Sequence, residues 1–192
     1  FSIPIASCLL CQPGFSIFVT IMEAQVILVN EKDEVTGVME KMEAHRKGLL
    51  HRAFSVFILN DVGHMLLHQR ALDKYHSGGL WTNACCSHPF PGETVAQAAH
   101  RRLFEEMGFD CPLSELFQFT YRTDFDNGLI EHEYDHVLMG TYNGTINPNP
   151  QEVNDYRFIP VETITRLLQE QPAQFTSWFK LAFPKLIEHL GK

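Results

Sequence analysis

The segment "WTNACCSHPFPGE", residues 81–93, contains side chains that could do chemistry at close spacing. Cys85 and Cys86 are adjacent, His88 follows two residues later, and Glu93 comes after a turn that contains proline and glycine. A thiol can transfer a proton or attack an electrophile, and thiols and imidazoles both bind metal ions. The segment alone therefore admits a metal site, a nucleophile with its base, or a core that holds two thiols.

The next segment, "GETVAQAAHRRLFEEMGF", changes to a helical period, and Gly108 predicts the end of the helix. Arg102 and Glu106 lie four residues apart and therefore share one face of that helix. A guanidinium binds phosphate oxygens directly, and a carboxylate can bind them through Mg²⁺, so the pair could hold a diphosphate. An ordinary surface ion pair is the alternative, because it uses the same spacing.

This helix resembles the Nudix box, a loop–helix–loop that binds a metal diphosphate. Ser87 stands where the box has its first glycine, and Arg102 stands where it has its central carboxylate. In the diphosphate hydrolases of the family that carboxylate is a metal ligand, so Arg102 favours a site that holds a diphosphate without hydrolysing it. The positions that match the box are Glu93, Arg101, Leu103, Glu105, Glu106, Gly108 and Phe109.

A second candidate cluster is "IEHEYD", in which Glu131 and Glu133 point to the same side of a predicted strand. Two carboxylates on one face repel each other unless they share a cation or are solvated, so a solvated edge strand is the alternative. His45, His51 and His88 could complete an octahedral site for Mn²⁺ or Mg²⁺, or capture Zn²⁺. Each histidine taken singly is more often structural, and that interpretation applies to the other seven, including His64, His68, His76, His100 and His136.

The elements around these clusters predict an α+β fold, a single domain with a mixed β-sheet sandwiched by helices. The strands are predicted in "AQVILVN", in a hairpin of "AFSVFILN" and "MLLHQR", in a second hairpin around Asn127 and Gly128, and in "YRFIPV". Closing helices are predicted in "ETITRLLQE" and "FTSWFKLAFPKLIEHL", the second interrupted at Pro184.

Residues 1–21 contain no charged side chain and differ from the remainder of the chain. Their prolines and polar residues argue against a membrane span, and they lack the basic start of a secretory signal. We expect them to be a non-native or flexible apolar extension, with residues 22–192 forming the functional domain. Cys8 and Cys11 have the spacing of half a zinc site but lack a second pair.

The bulk composition limits the partners of the protein. A formal net charge of −8 argues against an extended nucleic-acid or anionic-membrane footprint. The five cysteines lack the spacing of a disulfide framework, so we expect a reducing, cytoplasmic compartment. We further expect a small-molecule substrate and a monomer or weak dimer.

Several segments together resemble type I isopentenyl diphosphate isomerase, a Nudix-fold enzyme. They are "LLHRAFSVFILN", "QRALDKYHSGGLWTN", "CSHPFPGE", "YRTDFDNGLIEHE" and "FTSWF", in the family's order, from about Met22 to near Leu190. The resemblance implies reversible isomerisation of isopentenyl diphosphate to dimethylallyl diphosphate, by proton transfers through a carbocation-like intermediate and without a flavin. An acid and a base must then flank the hydrocarbon chain while water is excluded.

The resemblance also implies residue roles. Cys86 and Glu133 would carry the two proton transfers, Tyr121 would assist Glu133, and the indole of Trp178 would lie over the cation. Cys85 would be a small buried hydrophobe. The implied ligands of one divalent ion, Mn²⁺, Mg²⁺ or Zn²⁺, are His45, His51, His88, Glu131 and Glu133. The implied diphosphate contacts are Lys41, Arg70, Lys74 and Arg102, with Glu106 and the Cys86 carbonyl on the substrate Mg²⁺.

Two other functions remain open at this stage. The first is a Nudix diphosphohydrolase, which Arg102 disfavours and which leaves Cys86 and His88 unexplained. The second is a metal-stabilised binding protein that retains the fold without turnover.

Overall fold

The central strand of the protein alternates its side chains between two apolar layers. The computed structural model describes residues 24–74 and 76–191. The central strand is β3 (His51–Leu59). Its Phe54 and Val56 side chains enter one buried apolar cluster, and its Phe57 side chain enters another. Because successive side chains of a strand point to opposite faces, each face of β3 must pack against its own apolar layer.

The described residues form a mixed sheet and four α-helices. The strands are β1 (Gln25–Val29), β2 (Val35–Glu40), β3, β4 (His64–Arg70), β5 (Trp81–Thr82), β6 (Cys85–Ser87), β7 (Leu113–Asp124), β8 (Ile130–Thr141) and β9 (Val153–Pro160). The helices are α1 (Lys41–Lys47), α2 (Val95–Met107), α3 (Val161–Glu170) and α4 (Ser177–His189), with a 3₁₀ turn at Pro172–Gln174.

Strand pairing places β3 at the centre of the sheet. β3 runs parallel to β8 from His51 opposite Glu133 to Leu59 opposite Thr141, and β7 pairs antiparallel with β8. The other edge of β3 contacts β1 and β6. β4 meets β3 only beside the turn and then diverges to pair with β9 and β5.

Helix α2 covers one face of the sheet, and α3 and α4 cover the other. Thr94 and Gln97 form a capping box at the start of α2, and Gly108 ends it with a left-handed φ of 73°. Ala98, Ala99, Leu103 and Met107 of α2 pack with the first β3 cluster. The other cluster includes Ile164, Trp178, Phe179, Ala182, Phe183 and Leu186 of α3 and α4.

The structure confirms the predicted α+β class, the sheet between helices and both hairpins. The predicted interruption at Pro184 is wrong, because α4 continues through it. A proline removes one backbone hydrogen bond, and the buried face of α4 holds the helix together despite that loss. β2, β5, β6 and α1 were not predicted. Residues 1–21 lie outside the described part of the chain, and no described helix is long and apolar enough to cross a membrane.

Substitution of Gly108 tests the close contact between the end of α2 and the backbone of Asn147. A Cβ added there would collide with the backbone carbonyl oxygen of Asn147, in addition to the strain of its positive φ. Gly128 also has a positive φ, of 80°, but a Cβ there meets no described atom within 4 Å. We expect Gly128→Ala to cost about 1 kcal/mol and Gly108→Ala at least ~3 kcal/mol of unfolding free energy.

Urea denaturation of both variants and the unchanged protein measures this difference. Equal losses in the two variants would contradict the predicted collision with Asn147, since the backbone strain is common to both.

Candidate active site

One cavity of about 290 Å³ brings together most of the residues that the sequence singled out. This size is near the lower end of the roughly 300–1,000 Å³ typical of small-molecule pockets. His45 and His51 do not line it but are buried, with 1% and 0% of their surface exposed. The predicted residues in its wall are Lys41, Arg70, Lys74, Cys86, His88, Arg102, Glu106, Tyr121, Glu131, Glu133 and Trp178.

Glu133 lies at the centre of a row of side chains that crosses the sheet. Strand register places Tyr121 of β7 and His51 of β3 on either side of it. The Tyr121 hydroxyl donates to Glu133 Oε2 at 2.6 Å, and His88 Nε2 lies 3.0 Å from Glu133 Oε1. His51 Nε2 is 3.6 Å from the same oxygen. The carboxylate is thus surrounded by groups from β3, from β7 and from the segment that follows β6.

Backbone carbonyls set the tautomer of two histidines behind the cavity. His45 Nδ1 donates to Lys41 O at 2.7 Å, and His51 Nδ1 donates to Leu49 O at 2.8 Å. A neutral imidazole that donates through Nδ1 carries its lone pair on Nε2. Neither Nε2 atom has a hydrogen-bond partner among the described residues, although both are buried.

The atoms that carry these two lone pairs belong to a cluster of four potential metal ligands. One ligand atom from each of His45, His51, His88 and Glu133 lies within 4.8 Å of the others. Buried acceptors without partners cost free energy, and a cation would satisfy both of them. Three imidazoles and a carboxylate suit a divalent ion, so the residues present fit such a group.

Glu131 lies beside this cluster rather than within it. Its carboxylate is 3.4 Å from the Tyr121 hydroxyl and 3.4 Å from His76 Nε2. Glu131 and Glu133 are only 4% and 7% exposed, so the alternative of a solvated edge strand is wrong. The predicted five-residue ligand set is therefore placed around one cavity, with four of its members in direct proximity.

The environments of the two glutamates shift their proton affinities in opposite directions. Burial and the charge of Glu133 raise the pKa of Glu131 well above its usual value. Burial also disfavours the Glu133 anion, but the hydrogen bond from His88 holds its pKa well below the usual value. Burial lowers the pKa of His88 to about 3, so its imidazole is neutral. In the absence of a metal ion, the two environments therefore favour the proton on Glu131 over Glu133.

The two adjacent cysteines of β6 face opposite layers. Cys85 is fully buried in the cluster under α2, whereas Cys86 lines the cavity. Because β6 is a strand, adjacent side chains must point to opposite faces. Burial, followed by the nearby Asp135 carboxyl, raises the pKa of the Cys86 thiol.

Two of the basic residues of the cavity, Arg102 and Lys74, are engaged with carboxylates. Arg102 contacts Glu105 at 2.6 Å, Glu106 at 2.7 Å and Glu152 at 3.4 Å. Lys74 also forms an ion pair with Glu152. The Glu106 side chain is 5% exposed, which distinguishes this network from an ordinary surface pair.

The aromatic side of the cavity is formed by Trp178 and its neighbours. The guanidinium of Arg70 lies 5.1 Å from the centre of the Trp178 ring. His76 meets Trp178 edge-on at 5.9 Å and stacks on Phe125 at 4.8 Å. An aromatic wall of this kind suits a hydrocarbon or a cation.

Sequence reasoning missed several cavity or near-cavity residues, among them Asp135, His76 and Glu152. Asp135 continues the alternation of Glu131 and Glu133, so its place on the same face could have been predicted. His76 and Glu152 lie in connecting segments, and no spacing in the sequence indicates that they reach the cavity. His76 was interpreted as structural or surface, but it is 8% exposed and lines the cavity.

Comparison with known proteins first identifies the class. The model of the NUDIX domain matches residues 49–179. A crystal structure of a Deinococcus radiodurans protein has a TM-score of 0.70 at 19% identity, and covers 84% of this chain and 98% of its own. A MutT protein from Methanosarcina mazei has a TM-score of 0.61 at 16% identity, with 74% and 96% covered. The architecture is therefore that of a Nudix fold.

Relatives of closer sequence identify the branch. The isopentenyl-diphosphate Delta-isomerase of Pectobacterium atrosepticum is 53% identical over 165 residues, covering 86% of this chain and 92% of its own. The enzyme of that name from Burkholderia multivorans is 50% identical, with 82% and 90% covered. The chain belongs to the Nudix family and, within it, to the isopentenyl-diphosphate Delta-isomerases.

The histidine cluster predicts a specific response to metal. We expect metal-stripped protein to bind a divalent ion and to melt at a higher temperature when Mn²⁺, Mg²⁺ or Zn²⁺ is added. His51→Gln should weaken binding at least ~10-fold, because it removes one of the buried lone pairs. The matched control is His100→Gln, since His100 lies on α2 and pairs with Asp110.

Metal analysis after dialysis and thermal denaturation with added ion provide the measurements. If His51→Gln and His100→Gln bind and melt alike, the four-residue cluster is not the metal site.

Proposed function

We propose that this protein isomerises isopentenyl diphosphate to dimethylallyl diphosphate in isoprenoid biosynthesis. The observation that carries the proposal is that Cys86 and Glu133 line the same cavity as Arg102, Lys74 and Trp178. A proton donor, a proton acceptor, an aromatic wall and a basic end are the parts that this reaction requires.

The reaction moves a double bond without changing the oxidation state of the substrate. One proton is added to the terminal alkene carbon, and another is removed from the carbon two bonds away, so the net proton count is unchanged. Cys86 and Glu133 are assigned to these two transfers. Because the reaction is reversible, each group must act as an acid in one direction and as a base in the other.

Tyr121 and Trp178 are assigned supporting roles. The Tyr121 hydroxyl donates to Glu133 Oε2, so it can hold the carboxyl in place and assist its proton transfer. Trp178 lines the cavity, and the π face of an indole stabilises a desolvated cation by roughly 0.5–2 kcal/mol. Trp178 is 3% exposed, which keeps water from that wall.

The polar contacts divide between two sets of residues. Lys41, Arg70, Lys74 and Arg102 would bind the diphosphate, while Glu106 and the Cys86 carbonyl would contact its Mg²⁺. His45, His51, His88 and Glu133, with Glu131 beside them, would hold a second divalent ion: Mn²⁺, Mg²⁺ or Zn²⁺. When bound, the ions supply positive charge beside the carboxylates and the diphosphate.

The cellular setting follows from composition. We assign the enzyme to the cytoplasm as a monomer or weak dimer that acts on a small molecule. The cysteine pattern supports a reducing compartment, and the net charge of −8 disfavours nucleic-acid and membrane partners.

A product assay tests the proposal directly. Purified protein is supplied with isopentenyl diphosphate and Mg²⁺, and the products are followed by chromatography. We expect dimethylallyl diphosphate and no released phosphate. Phosphate release would instead support a hydrolase, and the absence of both products would support a binding protein.

A comparison of Cys85 with Cys86 tests the assignment of Cys86 as the proton-transfer thiol. Cys86→Ala should lose at least ~10²–10⁴ in kcat, because it removes a positioned proton-transfer group. Cys85→Ala should stay close to the unchanged protein, since Cys85 packs under α2 on the other face. Steady-state kinetics of both variants, with a thermal melt as a folding check, decide this. Similar kcat losses in the two variants would remove the basis for assigning Cys86.

A further inference from the structure

The orientation of one buried amide determines how the Cys86 thiol is held. Asn83 Nδ2 donates to Val56 O at 3.1 Å and to Cys85 O at 2.8 Å. These two bonds use the donors of the amide and turn Oδ1 in the other direction, where it can only accept. It accepts from the Thr82 hydroxyl at 2.9 Å and from the Cys86 thiol at 3.0 Å.

A second acceptor faces the same sulfur from the central strand. Ser55 lies directly opposite Cys86 in the β3–β6 pairing, and its Oγ is 3.6 Å from Cys86 Sγ. The Ser55 hydroxyl donates its hydrogen to Asp135 Oδ2 at 2.8 Å. With that hydrogen engaged, Ser55 presents a lone pair to the sulfur. The S–H bond of Cys86 therefore lies between two acceptors.

We propose that Asn83 and Ser55 are positioning residues that hold the sulfur of Cys86 and direct its S–H bond, with Asp135 holding Ser55. This inference rests on the proposed function and assigns residues that the catalytic set above does not contain. At rest the hydrogen points to Asn83 Oδ1, and a rotation about the Cβ–Sγ bond moves it to the cavity. No covalent bond changes in this step.

Positioning matters here because a thiol makes only weak hydrogen bonds. A free cysteine side chain samples several rotamers, and fixing one in advance removes an entropy cost from the reacting complex. Weak S–H hydrogen bonds fix the rotamer yet release the hydrogen readily to a substrate. The arrangement is also tied to the aromatic wall, since the Thr176 hydroxyl donates to Thr82 Oγ1 at 3.0 Å, just before α4.

Asp135 supports the inference through its burial. It is 1% exposed, and its Oδ1 has no hydrogen-bond partner among the described residues. Holding a polar group there costs free energy that an apolar side chain would not. Its one observed hydrogen bond is to Ser55, so its contribution to the site is to direct that hydroxyl towards the carboxyl and away from the sulfur.

Steady-state kinetics test the role of Ser55. Ser55→Ala should lower kcat about 10-fold while KM stays within about twofold, because the diphosphate contacts remain. Ser114→Ala is the matched control, an exposed serine on β7 that lies outside the cavity. A rise in KM with unchanged kcat, or kcat unchanged in Ser55→Ala, would overturn the assignment.

Asp135 variants separate positioning from a general packing effect. Asp135→Asn keeps an oxygen that can accept from Ser55, so its kcat should remain within about threefold of the unchanged protein. Asp135→Ala lacks that acceptor and should fall about as far as Ser55→Ala. Equal losses in Asp135→Asn and Asp135→Ala would contradict a role through the Ser55 hydroxyl.

An infrared measurement tests the hydrogen bond without turnover. The S–H stretching band of Cys86 is identified by its loss in Cys86→Ala. It should shift to higher wavenumber in Asn83→Ala and, by a smaller amount, in Ser55→Ala, which removes a single hydroxyl and does not depend on Asn83→Ala folding. A band that moves in neither variant would overturn the proposal.

The two proposals fail in different ways. If the unchanged protein makes no dimethylallyl diphosphate, the proposed function fails, and the S–H band still reports whether Asn83 and Ser55 hold the thiol. If the unchanged protein is active and the variants match it, only the positioning role fails.

Discussion

The buried carboxylate of Glu133 is the constraint on which the rest of the site depends. Removing an ion from water costs several kcal/mol unless neighbours compensate, and Glu133 is 7% exposed. Its compensation comes from the Tyr121 hydroxyl on one side and from His88 on the other, with His51 Nε2 3.6 Å away. These groups meet only because β7, β8 and β3 pair in this register. The register of the sheet therefore determines how the charge of Glu133 is compensated.

Strand alternation then separates the chemistry from the core. The same period of two that buries Cys85 under α2 turns Cys86 towards the cavity. It also places Glu131, Glu133 and Asp135 on one face of β8. β6 and β8 therefore each direct some side chains into the apolar core and others into the cavity. The sheet can thus be covered by helices on both faces and still enclose a polar site.

The parts of the site that could be predicted from the sequence are those set by local periodicity or by a motif. The end of α2 at Gly108 and the shared face of Glu131 and Glu133 are examples. The parallel pairing of His51 with Glu133 could not be predicted, because it joins strands far apart in sequence. The approach of Glu152 to Arg102 and the orientation of the Asn83 amide depend on tertiary packing, for which the sequence has no local signal. The roles of individual residues were inferred from the family resemblance. The structure adds that most of these residues lie around one cavity.

The pairing of the basic residues constrains what can bind beside Arg102. Arg102 and Lys74 are already paired with Glu105, Glu106 and Glu152, so their positive charges are compensated before a ligand binds. A bare diphosphate that took both cations would leave Glu106 and Glu152 without these partners, and an uncompensated buried charge such as that of Glu106 costs about 3–5 kcal/mol. A diphosphate that brings its own Mg²⁺ avoids this cost, because the cations turn to the phosphates while the carboxylates gain a metal ion. For the proposed function, this ion-pair network would favour a metal-bound diphosphate over the free anion.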